Sequence, residues 1–216
     1  MKIADETSRK ENSRKKRSVR LVVKIFDVRT HFNENIKDVE TKFELAKREA
    51  KSGDLHSAEE IWRSQVVFLE SSLDFYIHEV VKYGFLKIFN GDWEETEQSK
   101  KFRLRFPLLM KMYKDAGNAA QSLSDEIDEI NRENCFLNFD NMQNNLKMVG
   151  LKVEGKYKTI VNELYGRRNK IAHQSDRIPG SAAKCVIKEA DVKNYIKRIK
   201  EIVSSIDGQV KEYNKR

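Results

Sequence analysis

Residues 163–177 read ELYGRRNKIAHQSDR, and within them Arg168, Asn169 and His173 are residue types that can act on a phosphodiester. An imidazole titrates near neutral pH and moves a proton, a guanidinium offers phosphoryl oxygens a planar fork of donors, and a carboxamide can orient either. The other reading is a solvated basic cap, in which His173 sits against helix carbonyls at a C-terminus. At about 100° per residue Asn169 and His173 share one face of a helix, whereas Arg168 and His173 point about 140° apart. A long arginine must lean across to share a ligand with that histidine.

The preceding residues set the phase of the motif. Tyr157, Ile160, Val161, Leu164 and Ile171 form an apolar stripe, and Arg168 falls four after Leu164 and three before Ile171, so it faces inward. An inward arginine needs a carboxylate or an anion. Glu70, four after Val66 and three before Leu73, lies on the flank of the chain's most apolar segment, with Asp74 one turn later. The spacing predicts that Glu70 pairs with Arg168, supported by Asp74, and leaves open whether the pair only orients or serves chemistry. Arg167 and Lys170 are candidate contacts to a nucleic-acid backbone, with solvated neighbours as the alternative.

A chain of 216 residues, 39% of them hydrophobic, can bury the core of one domain. Two prolines and nine glycines are too few for a sandwich or barrel, so the expectation is all-α. The formal net charge of +8 favours encounter with polyanions without naming one. Much of that excess sits between Arg9 and Arg20, and residues 1–19 read as a basic, flexible tail before a single domain over 20–216. Cys135 and Cys185 match no metal spacing and read as bystander thiols of a reduced, cytoplasmic protein. The opening residues have no apolar signal core, and no segment approaches the roughly 20 apolar residues that span a bilayer.

The periodicity predicts a long helix from about 21 to 51, with Val22, Ile25, Phe32, Ile36, Val39, Phe43 and Ala46 inward and Ser52-Gly53 as the stop. Asp54 is the next N-cap, with a Ser57/Glu60 capping box, and Trp62, Val66, Leu69, Leu73, Ile77 and Val80 line a core spine until Asn90-Gly91. Residues 92–135 are mixed, with helical patches over 93–102, 108–113 and 122–134 and a break at Phe106-Pro107. A short helix ended by Gly150, the motif helix, a loop over 174–183 and an amphipathic helix over 190–213 complete the chain; Val192, Tyr195, Ile196, Ile199, Ile202, Val203 and Ile206 face inward in the last. His31 and His56 read as surface residues, Trp62 and Trp93 as packing. KKFRLRF, residues 100–106, interleaves basic and aromatic groups as either an RNA contact or a half-buried segment does.

RRNKIAH at the end of an amphipathic helix, preceded by IVNELYG and followed by a loop and a closing helix, resembles the signature of the HEPN superfamily. FLESSLDFYIHEV is similar to the core helix of its prokaryotic members, and ADVKNYIKRIKEIVSSID to their terminal helix. The resemblance spans about residues 20–213, is loose over 92–135, and is nearest the RiboL-PSP or MAE types of toxin and phage-defence systems. It implies a helical up-down bundle that dimerises with two motif helices in a shared cleft, and a metal-independent endoribonuclease of tRNA or mRNA without a cofactor. His173 would then be the general base or acid, Arg168 the stabiliser of developing charge and Asn169 an orienting group, with Glu70 matching the core-helix acid. His78, about two turns past Glu70, reads as remote from the motif, so a second His173 across the dimer cleft would complete the acid-base pair. A cognate antitoxin or sensor protein is the further partner implied; the alternative is a non-catalytic HEPN module that binds RNA, a nucleotide or a partner protein.

Overall fold

The computed structural model describes residues 24–133 and 138–216. Among these there is no strand, and seven α-helices follow one another: α1 (Ile25–Ser52), α2 (Leu55–Phe89), α3 (Phe106–Lys114), α4 (Ala119–Glu133), α5 (Phe139–Met148), α6 (Lys158–Gln174) and α7 (Glu189–Tyr213). The expected all-α bundle is present. The basic segment 1–19, the first residues of the expected 21–51 helix and Cys135 lie outside the described residues.

The two longest helices form an antiparallel hairpin, because both ends of their junction carry their own signals. Gly53 takes the left-handed conformation at φ 96° that closes α1, and its N–H donates to the Ala50 carbonyl. Asp54 Oδ1 accepts from the Ser57 N–H at 2.9 Å and opens α2. Asp54 alone makes this cap: Glu60, expected to share a capping box with Ser57, instead accepts from Arg63 at 2.9 Å and Lys184 at 2.7 Å.

The apolar faces then meet as their 3.6-residue spacing requires. Val28, Phe32, Ile36, Val39, Phe43 and Ala46 of α1 are buried in one core with Trp62, Val66, Leu69, Leu73, Ile77 and Val80 of α2. In α7, Val192, Ile196, Ile199, Ile202, Val203 and Ile206 are buried and Tyr195 is half-buried. Asp207 of α7 ties the layers together, accepting from Tyr76 Oη and from Arg29 Nη1, each at 2.6 Å. Gly84 is needed where α2 passes the end of α5, since a Cβ there would stand 2.6 Å from Val149 Cβ.

The middle of the chain departs from its pattern. The helix expected over 93–102 shrinks to one 3-10 turn, Ser99–Lys101. Thr96 and Ser99 take each other's backbone N–H groups on their hydroxyls at 2.8 Å, offering the chain an alternative to helix. Trp93 packs between Tyr83 and Tyr213 and donates from Nε1 to Asn214 at 3.1 Å. Pro107 opens α3 rather than ending a helix, because a missing N–H costs nothing in a first turn. Among the described residues no helix is long and apolar enough to cross a membrane.

Candidate active site

The last two turns of α6 lie against the middle of α2. Val161 and Leu164 are buried between them, Ile160 and Ile171 half-buried, and the same phase carries Arg168 to the edge of the contact. The Arg168 side chain is 27% exposed and its Nε stands 3.6 Å from Glu70 Oε2, whose own side chain is 3% exposed. This is the pair that helical phase predicts, as an ion pair too long for a hydrogen bond. Arg168 Nη1 donates to Asn169 Oδ1 at 3.0 Å, which leaves the amide N–H groups of Asn169 as its donors to a ligand. Glu70 Oε1 has no hydrogen-bond partner among the described residues.

Burial pushes the Glu70 carboxyl up to about 8, the charge of Asp74 adds to this, and Arg168 opposes it. Asp74 is half-buried one turn along α2, and its Oδ1 lies 3.5 Å from His78 Nε2. Glu70, Asp74 and His78 thus form a ladder on one flank of α2, joined to the motif at Arg168. His173 is exposed in the final turn of α6, and Lys170 is exposed one turn before it. Hence Arg168, Asn169 and His173 occupy one accessible helix end, its guanidinium held from behind by a buried carboxyl. Such an arrangement can grip an anionic oxygen and exchange a proton beside it.

Arg167 is placed differently. Its Nη2 donates to Asp176 Oδ2 at 2.7 Å and to the carbonyls of Cys185 and Val186 at 3.2 and 3.0 Å. Arg63 of α2 joins it, with Nε 2.9 Å from the same Asp176 oxygen and Nη2 2.9 Å from the Cys185 carbonyl. Asp176 is fully buried and takes φ 57°, the left-handed turn that brings the chain back beside α6. The Ile178 N–H donates to the Ala183 carbonyl at 2.9 Å, making a tight loop after the motif. This geometry makes Arg167 a strut for that loop. Arg63 and Asp176 escape a motif search, yet Arg63 stands three before Val66 and one heptad before Glu70, so the inward-phase argument used for Arg168 applies to it.

His31 and His56 are exposed, and Trp62 and Trp93 buried. Among the described residues no group of three or more His, Cys, Asp and Glu side chains could hold a metal ion. A family model described as RiboL-PSP-HEPN matches residues 30–212, which include the whole of α2 and α6. No curated protein and no solved structure matches the chain.

Proposed function

The chain belongs to the RiboL-PSP-HEPN family, and from that premise we propose that it is a metal-independent endoribonuclease whose Arg168, Asn169 and His173 act on a phosphodiester of RNA. The observation that carries this reading is the half-exposed Arg168, braced by buried Glu70 and sharing an accessible helix end with exposed His173. His173 takes the proton of a ribose 2′-hydroxyl as its oxygen bonds to the adjacent phosphorus. The bond to the 5′-oxygen breaks, and that oxygen receives a proton, leaving a 2′,3′-cyclic phosphate and a 5′-hydroxyl. Arg168 binds the phosphoryl oxygens as negative charge grows on them, and Asn169 holds the phosphate or the imidazole in line.

The leaving oxygen needs a proton donor, and one chain supplies one imidazole at the motif. A second copy, its own motif helix across a common cleft, supplies the other. The setting we propose is a toxin-antitoxin or phage-defence effector that cuts tRNA or mRNA, held in check by a cognate antitoxin or a sensor protein. In the second reading the domain holds RNA, a nucleotide or a partner protein without cutting, and the single imidazole that each chain brings to the motif favours it. Purified protein incubated with total tRNA in excess chelator separates the two: fragments ending in cyclic phosphate are expected, and intact RNA that is merely retarded on a gel would establish the non-catalytic module.

A further inference from the structure

We propose that the groove between the start of α1 and the last turns of α7 binds a small organic phosphate of nucleoside-monophosphate size, with its phosphate between Arg29 and Lys211 and its ring beside Asn214. Ser204, Asp207, Lys211 and Asn214 recur at i, i+3, i+7 and i+10, one stripe of α7, and Ile25 and Arg29, one turn apart, close the groove from α1. The space between them is about 390 Å³, within the range of small-molecule sites. It lies away from the motif that carries Arg168 and His173, since Asn214 touches Tyr83, thirteen residues after Glu70 and so about 20 Å further along α2.

The polar groups of this groove are almost all donors. Asp207 could attract a cation, but its carboxylate is already occupied, Oδ1 accepting from Tyr76 Oη and Oδ2 from Arg29 Nη1, each at 2.6 Å. The Arg29 guanidinium, held 5.5 Å from the centre of the Phe32 ring, keeps Nε and Nη2 without a protein acceptor among the described residues. Lys211 is exposed and has no carboxylate partner among them, although it stands one turn after Asp207. Asn214 is oriented from behind: its Oδ1 accepts from Tyr83 Oη at 3.2 Å and from Trp93 Nε1 at 3.1 Å, so its amide N–H groups are what it has left to offer. Arg29, Lys211 and Asp207 together leave an excess of positive charge, and an anion takes up both this excess and the free N–H groups. A phosphate suits the planar fork of an arginine beside the point charge of a lysine. Ile25 and Val210 add an apolar wall on which a ring packs while Asn214 donates to an acceptor on its edge. A bare inorganic anion leaves that wall and that amide unused.

The test is calorimetric titration of the full chain with adenosine monophosphate, beside adenosine and inorganic phosphate. Adenosine monophosphate should bind saturably, and about tenfold or more tighter than either of the other two. Lys211→Glu and Asn214→Asp should each weaken it about tenfold or more, because one reverses a charge and the other removes the N–H donors. The aspartate still accepts from Tyr83 and Trp93, and both positions are exposed, so neither variant should lower the melting temperature. Lys193→Glu, the same charge change at an exposed position of α7 outside the groove, should leave the affinity nearly unchanged. Arg168→Ala and His173→Ala should leave it unchanged as well, so this site and the nuclease reading stand or fall separately. The proposal is overturned if adenosine monophosphate gives no saturable heat, or if adenosine or phosphate alone binds as tightly. It is equally overturned if neither groove variant weakens binding, if Lys193→Glu weakens it as much as they do, or if Arg168→Ala abolishes it.

Discussion

Glutamine in place of Glu70 should remove a pH dependence that the fold builds in. The native carboxyl is held at about 8, against an ordinary value of 4.5, chiefly by burial. A folded-state value above the unfolded one means that the native protein binds this proton more tightly, so the stabilisation is full below about pH 4.5 and is lost as pH rises through about 8. At about 1.36 kcal/mol per unit, the gap between 4.5 and about 8 sets a ceiling of about 5 kcal/mol. Urea unfolding at whole pH units from 5 to 9 reads this directly as the difference between wild type and Glu70→Gln, since every other group titrates in both. The variant should match wild type near pH 5, where its amide stands in for the protonated carboxyl, and exceed it by a few kcal/mol at pH 9. Parallel stability curves across that range would refute the buried, proton-binding carboxyl and the brace built on it.

Other perturbations test other parts of the account. Asp176→Asn removes the buried carboxylate shared by Arg63 and Arg167, and because Arg63 keeps Glu59 and Glu60 the loss should be about 1 to 3 kcal/mol, read as a lowered melting temperature. Gly84→Ala forces a methyl against Val149 and should cost about 1 to 3 kcal/mol in chemical denaturation. Arg168→Lys keeps the charge but loses the planar fork; RNA affinity in a filter assay should change little while the cleavage rate drops about tenfold or more.

Much of the site could be read from the chain because helical phase is a strict rule. Leu164, Arg168 and Ile171 on one side and Val66, Glu70 and Leu73 on the other were enough to predict an ion pair between helices far apart in sequence, which the structure places at 3.6 Å. The ends of α1 and α2 were equally legible, since Gly53 and Asp54 act on their own neighbours. What stayed hidden depends on tertiary partners. Nothing local to Arg167 shows that Asp176 and two carbonyls will take up its guanidinium, because that depends on a left-handed turn nine residues on. Residues 93–102 carry apolar spacing that suits a helix, but Trp93 and the Thr96–Ser99 exchange satisfy the chain without one. His78 lies about two turns past Glu70 on the same helix, and its contact there is with Asp74, 3.5 Å away.

The most direct test of the central claim is the single-turnover cleavage rate of one defined RNA in excess chelator, measured for wild type and His173→Ala, with the product ends identified by mass. A drop on the order of 10² to 10⁴ with an unchanged melting temperature, and 2′,3′-cyclic phosphate ends from wild type, is the predicted result. Equal rates for the two proteins, or ends that lack the cyclic phosphate, would contradict it.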